Sequence, residues 1–594
     1  MNWITNLFNK LKGLNKAIIR YPLTELFLLA AALMIFASIN GEQDYSKQLL
    51  TCAVGAFLCA VLQAAYERFF NQVSTRYILM VCGLGVTLGY YLILRSVADH
   101  NMEIEIRTAI ALFALYFAFV WVPVIRSRIS FNESFMATFK AIFQAVFYAV
   151  VLYCGCSLII MAIDTLIITV NYRAYSHIAN VIFVLFAPLF FLSLIPLYPG
   201  KKDEGVDSEK SIAQEEMINK AVFCPKFLEI LISYIIIPLT AVFTFILLLY
   251  IMLNIRGEFW TNNLLEPMLI SYSITVILIY ILSSRLENKF AIWFRLIFPK
   301  LLVPIVVFQV ISSVISLGDT GVTHTRYLVI LYGIFAACAG VVMSLVPVRK
   351  NGIIAAMLIG FLTVSILPPI DAFTISRLNQ ETILKTVLTK NNMIENNEVL
   401  PNDLISKEDK QTVISSMEYL AKMGYTSNLA WLPADFSIYE DFYDTFGFYE
   451  YEYAENRNQS TNLYSNSSDA LDITGYDFFV HTNINSEENN ESKICDIENS
   501  GNNYILNKEN TGDSSDVILT DNDNNEIIRF NMNDIYSKYQ GYSMEKSQIS
   551  SDEATFSNEN DQVKITIVVQ TFDSNISNDQ TYSYVDFYIL VQFK

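Results

Sequence analysis

The chain has 594 residues, is 53% hydrophobic and carries a formal net charge of -18. A mean hydropathy of +0.36 over that length excludes one soluble globule around one core and calls for several membrane spans. The charge is uneven, about -24 for residues 371–594 and about +6 for residues 1–370. An acidic soluble region repels phosphate backbones, so nucleic acid is excluded as a partner.

The first elements read as membrane-active. From Asn2 to Arg20, Trp3, Ile4, Leu7, Phe8, Leu11 and Leu14 recur at helical spacing, with Lys10, Lys12, Lys16 and Arg20 between them. That pattern predicts an interfacial helix over residues 1–21 rather than a cleavable leader. Eleven apolar runs of roughly 17–25 residues follow. They are Pro22–Ile39, Leu49–Tyr66, Tyr77–Leu94, Thr108–Ile125, Ala141–Ile163, Ile178–Leu197, Phe227–Ile255, Met268–Ser284, Leu301–Leu317, Tyr327–Val348 and Ile353–Pro369. The short run Thr165–Val170 has polar flanks and reads as an interfacial piece.

Loop charges predict orientation. With the N-terminus inside, inner segments hold roughly twenty Lys and Arg and outer loops roughly six. Eleven spans then place the N-terminus in the cytoplasm and residues 371–594 outside. Charged residues avoid span centres: Glu25, Glu67, Arg95, Asp164 and Glu229 sit near ends. Gln63, Gln144, Asn180 and Gln309 lie deeper and are expected to bond helix to helix. Pro188 and Pro238 fall mid-span on either side of Lys201–Lys226, read as an inner loop, and predict kinks.

Beyond Pro369 no run is long enough to cross a bilayer. Two helices are expected, Ala372–Asn391 and one capped by Ser406 with Asp409 three positions on and Gly424 as its stop. Short alternating runs then predict strands at Asp472–Val480, Tyr504–Leu506, Val517–Thr520, Glu526–Phe530, Val563–Phe572 and Thr581–Phe593, the last two as a hairpin. Residues 455–468, 485–500 and 541–560 read as mobile loops. The expected fold is therefore a polytopic α-helical membrane protein of about eleven transmembrane helices (22–370) with a C-terminal soluble α+β domain (371–594).

Chemistry-bearing residues form no convincing motif. Asp521–Glu526 resembles a calcium loop, but position six is Glu526 and position twelve is Met532, so a hairpin turn is the better reading. The histidines, His100, His177, His324 and His481, all fall on the predicted outer side. With Asp99, Glu103, Asp164 and Asp319 they offer an outward metal or pH-sensing cluster, but no spacing supports it. Glu42 and Asp44 could supply a base or metal ligand of a membrane-embedded glycan transferase, in a loop short for that use. Six of eight cysteines sit inside apolar runs as small fillers, and Cys495, alone in the soluble region, cannot form a disulfide there. No catalytic, cofactor-binding or metal residue is assigned, and the chain is not expected to be an enzyme.

Several segments, in order, resemble one bacterial family. They are Phe186–Leu192, Tyr234–Leu239, Phe298–Leu302, Gly321-Val322-Thr323-His324-Thr325-Arg326-Tyr327, Pro368-Pro369-Ile370-Asp371-Ala372-Phe373-Thr374, Leu432-Pro433 and Phe446-Gly447-Phe448. Together they resemble the membrane proteins called domain of unknown function 4153. The resemblance implies a many-spanning bacterial cell-membrane protein with an appended C-terminal domain, and no reaction. The resulting expectation is an envelope protein held by the lipid bilayer, whose outer domain binds or senses a wall, lipid or protein partner. The alternatives are a transporter or lipid handler with a cavity between the kinked helices, and the transferase.

Overall fold

The computed structural model describes residues 13–41, 43–96, 101–199, 208–254, 265–395, 398–433, 436–449, 459–465, 470–485, 491–510, 515–540, 548–577 and 580–594. They form two compact units, 1–450 and 451–594. Of the N-terminal amphipathic stretch, residues 1–12 lie outside the description and 13–20 are helical.

The first unit opens with α1 (Pro22–Asn40), α2 (Ser46–Phe69), α3 (Val73–Ser96), α4 (Met102–Trp121) and α5 (Phe131–Leu166). In α6, Arg173–Asn180, Val181–Phe186 and Ala187–Leu194 run on, with the middle piece π-helical. After α7 (Ser208–Val222), α8 repeats that design: Lys226–Ile230, a π-helical Leu231–Ile236, then Ile237–Asn254. Next come α9 (Leu265–Leu282), α10 (Lys289–Ile315), α11 (His324–Leu345) and α12 (Gly352–Ile366). Among the described residues ten helices are long and apolar enough to cross a membrane, and the apolar stretch Glu266–Leu282 of α9 is shorter. Each matches one apolar run of the sequence, so the chain is a multi-pass membrane protein.

α5 and α10 extend well past their apolar runs, and α7 lies outside any of them. α5 starts ten residues before Ala141, because Ser130 and Glu133 form a capping box: Glu133 N–H donates to Ser130 Oγ at 3.4 Å, and Ser130 N–H to Glu133 Oε2 at 2.6 Å. α10 starts at Lys289, capped by Asn288, whose Oδ1 accepts from Ala291 N–H at 3.0 Å, and carries Pro299 and Pro304 inside it. The stretch Lys201–Lys226, expected as a loop, contains α7, whose Ile218 and Val222 are buried against Val124 and Tyr198. After α5, Ile167–Val170 leaves the helix, and Val170 N–H donates to Asp164 Oδ1 at 2.6 Å.

Close approach of α10 and α11 depends on a missing side chain. A Cβ on Gly340 would stand 2.8 Å from Val303 Cγ2. Among the deep polar residues, Asn180 Nδ2 donates to Ala32 O at 2.8 Å and Gln63 Oε1 accepts from Arg76 Nε at 3.1 Å, both from helix to helix, while Gln63 Nε2 donates to Glu67 within α2. Gln144 instead faces outward, and the buried amide of Gln309 has no bonding partner among the described residues. Cys82 and Cys154 are likewise exposed on helix surfaces rather than filling interfaces.

The membrane helices are followed by a helical cap in the same unit. α13 (Ala372–Lys390) and α14 (Lys407–Lys422) pack together, with α14 capped by Ser406, whose Oγ accepts from Asp409 N–H at 3.2 Å. Their core of Phe373, Leu384, Leu388, Val413, Met417, Leu420, Phe442, Phe446 and Phe448 also takes in Ile106, Tyr327 and Leu328 from α4 and α11.

The second unit contains two sheets. Strands are β1 (Gln459–Ser465), β2 (Phe478–Asn485), β3 (Glu491–Asn499), β4 (Asn502–Asn510), β5 (Ser515–Asp521), β6 (Glu526–Asn531), β7 (Gln548–Ile549), β8 (Thr555–Glu559), β9 (Val563–Ser577) and β10 (Gln580–Phe593), with α15 (Asn533–Gln540) after β6. One sheet runs β2-β10-β9-β1-β7 with β8 also on β9, and the other β3-β4-β5-β6. β1, β3 and β8 occupy stretches expected as mobile loops. The β9–β10 hairpin forms as expected but pairs as far as Ser577↔Gln580, so its turn is much tighter than Asp573–Gln580. Asp521–Glu526 is a hairpin turn: Asp521 Oδ1 accepts from Asp523 and Asn525 N–H at 2.9 and 2.8 Å. Val569, Phe572, Val585, Phe587 and Ile589 face Leu506, Val517, Leu519 and Phe530 in a single core. Replacing the fully buried Phe587 by alanine is expected to cost about 3–5 kcal/mol. The check is a lower urea midpoint for protease resistance of residues 451–594 in the full chain.

Candidate functional site

A polar junction of the first unit joins the membrane helices to the cap. Asn101 starts α4, its Oδ1 accepting from Ile104 N–H at 3.1 Å. One turn on, Glu103 and Arg107 lie on the same helix face, and Arg107 Nε donates to Glu103 Oε1 at 2.7 Å. Arg107 then reaches across to the start of α13. Its Nη2 meets Asp371 Oδ1 at 2.6 Å, its Nη1 donates to Ile366 O at the end of α12, and its guanidinium carbon lies 4.6 Å from the centre of the Phe373 ring.

Asp371 is the N-cap of α13, with Oδ1 accepting from Phe373 and Thr374 N–H at 3.0 and 3.1 Å. Its side chain is fully buried. Burial pushes its carboxyl up, but the N–H donors of Thr374 and Phe373 and the Arg107 guanidinium outweigh that and hold it below the usual carboxylate range.

The cap supplies aromatic partners. Tyr425 OH donates to Glu103 Oε2 at 2.7 Å, and burial together with that carboxylate raises its phenol. Tyr419 OH stands 3.1 Å from both the backbone N and the Nδ1 of His324, whose ring stacks on Phe373 with centroids 5.7 Å apart. Tyr327 OH donates to Ile370 O at 2.5 Å. Gly321 has φ +70, and a Cβ there would meet Ile383 Cδ1 at 2.4 Å, which lets Val322 N–H reach Asn379 Oδ1 at 2.7 Å. Two of the segments singled out in the sequence, 321–327 and 368–374, therefore meet at one place.

The family described as Domain of unknown function (DUF4153) matches residues 25–393. The chain belongs to this family. No curated protein and no solved structure matches it. The matched stretch holds Glu103, Arg107, His324 and Asp371, and it ends just after α13. Leu432-Pro433 and Phe446–Phe448, which the resemblance had included, lie beyond it.

Other expected candidates are dispersed. His177 Nε2 is 3.3 Å from Asn40 Oδ1, while His481 Nε2 lies 2.9 Å from Asp586 Oδ1 in the second unit. His100, Asp99 and Glu42 fall outside the described residues, and Asp44 accepts from Ser46 N–H at 2.9 Å at the start of α2. Among the described residues no group of three or more His, Cys, Asp and Glu could hold a metal ion. At the opposite helix ends, Arg20 clasps Glu67 through Nε and Nη2 at 2.9 and 2.8 Å, and Arg76 bonds Gln63. Sequence reasoning missed both arginine junctions, because each partner lies far along the chain. The Arg107 junction holds mutually bonded acids, bases and phenols, so it is suited to fixing two bodies together.

Because Asp371 is depressed in the fold, its stabilising contribution is complete above its unfolded value of about 4 and fades as pH falls through its lower folded value. Cap docking, followed by protection of the α13 amides from exchange, should be unchanged from neutral pH to about pH 5 and weaken below about pH 4.

Proposed function

We propose that this is a non-enzymatic membrane protein of the bacterial envelope whose region 371–594 lies outside the cell and binds or senses an envelope partner. The observation that carries this reading is the Arg107–Asp371 junction. The cap is not hung on a free tether. It shares a core with α4 and α11 and is pinned by a buried ion pair, so a load or ligand acting on the cap changes the ends of three membrane helices. The roughly threefold excess of Lys and Arg in alternate loops supports an inside N-terminus, and eleven crossings then put the cap outside.

One observation favours a second reading, a carrier of small or lipidic solutes. Both α6 and α8 insert a π-helical turn directly before Ala187-Pro188 and Ile237-Pro238, a feature recurrent at functional sites. Against it, α6 packs on α1 and α5 while α8 packs on α9 and α10, and Phe183, Tyr234 and Ile235 of the two turns are exposed.

Orientation is tested with cysteines at exposed positions, Ser500→Cys and Glu215→Cys, in a background without the native thiols. A membrane-impermeant reagent on intact cells should label position 500 and spare 215 until lysis. The reverse pattern would overturn the outward assignment.

A further inference from the structure

The sheet β2-β10-β9-β1-β7 buries one face in the core of the second unit; its second face is covered at Thr566, Val568 and Leu590 and exposed at Phe479, His481, Asp573 and Tyr584. Register places Phe479 beside the buried Leu590, His481 beside Tyr588, and Tyr584 beside Asp573, on that second face. Phe479 is 49% exposed and Tyr584 37%. The rings of Phe479 and Tyr588, with centroids 4.8 Å apart and planes tilted by 42°, line a cleft of about 380 Å³ together with Leu471, Ile473, Val568, Ser465 and Gln570, the last two bonded to each other at 3.4 Å.

Four residues along β10 from Tyr588, about 13 Å at ~3.3 Å per residue, stands Tyr584. Asp573 faces it across the ladder and Asp586 follows it two residues on, so the ring is bracketed by carboxylates, and both raise its phenol after burial does. The Asp573 carboxylate has no hydrogen-bond or ion-pair partner among the described residues, and partial burial pushes it up. A ring between two carboxylates, one lacking a cation, is a seat for an ammonium group through ion pairing and cation–π attraction. The neighbouring cleft, lined by two aromatic rings, aliphatic side chains and one hydroxyl–amide pair, suits the C–H faces and hydroxyls of a sugar. The backbone of β9 and β10 is already paired on both sides, so a ligand here must be read by side chains rather than added as a strand.

We propose that this face binds a glycan chain bearing free amino groups, with Tyr584 and Asp573 holding an ammonium beside Asp586, which His481 already engages at 2.9 Å, and Phe479 with Tyr588 stacking a sugar ring further along. Charge agrees, since residues 451–594 hold 25 Asp and Glu against 8 Lys and Arg. The inference names the partner class for the envelope-binding role proposed above, and rests on it for biological meaning only.

The test titrates short glucosamine oligomers into the purified full chain in detergent, at mildly acidic pH, beside their N-acetylated counterparts and poly-lysine of equal charge. Only the free-amine oligomers should bind. Tyr584→Ala and the near-isosteric Asp573→Asn should each weaken that binding about tenfold, equivalent to about 1.4 kcal/mol, and Phe479→Ala by a similar factor. Equal binding of the acetylated oligomer or of poly-lysine, or unchanged affinity in both Tyr584→Ala and Asp573→Asn, overturns the proposal. Because binding is measured in detergent, it is independent of orientation. Binding together with an inward-facing position 500 would keep this site and overturn only the outward reading.

Discussion

The buried carboxylate of Asp371 is the constraint on which the first unit turns. A carboxylate out of water is costly unless it is paired and hydrogen-bonded. Here two backbone N–H groups of α13 and the guanidinium of Arg107 meet that need at one oxygen, Oδ1, while the buried Oδ2 has no hydrogen-bond partner among the described residues. The same oxygen thus starts the first helix of the cap and ties it to α4. Arg107 in turn reaches Ile366 O, so α12 is held as well. Around this centre the other contacts follow: Glu103 is free on its second oxygen to receive Tyr425, and Phe373 lies between Arg107 and His324.

The membrane body obeys a simpler rule. Lipid offers no partners to backbone groups, so helices persist wherever the chain crosses. The two interruptions, π-helical turns before Pro188 and Pro238, keep the backbone helical while making room for a residue that lacks an N–H. At the other helix ends, the Arg20–Glu67 pair and the carbonyls reached by Arg68 do for α1, α2 and α6 what Arg107 does beneath the cap.

How much was legible depends on the range of the interactions. Each of the eleven apolar runs became one helix, since length and apolarity are local properties. Residues 131–140 and 289–300 differ from the expectation because charged turns lengthen α5 and α10 past their apolar stretches, and 208–222 because α7 is a separate amphipathic helix with no apolar run of its own. β1 and β3 escape a local reading because the exposed Asn462, Lys493, Asp496 and Glu498 stand among few apolar residues, which dilutes the alternation. At the junction, Asp371 and His324 stood inside segments picked out by the family resemblance. Their bond to α4 was not visible, because Arg107 and Asp371 are 264 residues apart and nothing local pairs them. The boundary between units also escaped notice: the composition shift at Pro369 marks the end of the spans, whereas the cap beyond it still belongs with them.

The most direct test is a double-mutant cycle on Arg107→Gln and Asp371→Asn in the full chain, read by hydrogen exchange of the Phe373 and Thr374 amides. A cap locked through this pair predicts a coupling of about 1–3 kcal/mol, with the double variant little worse than either single one. Additive effects, with a coupling near zero, would mean that the cap rests on the membrane helices by apolar packing alone and would contradict the central role given to the pair.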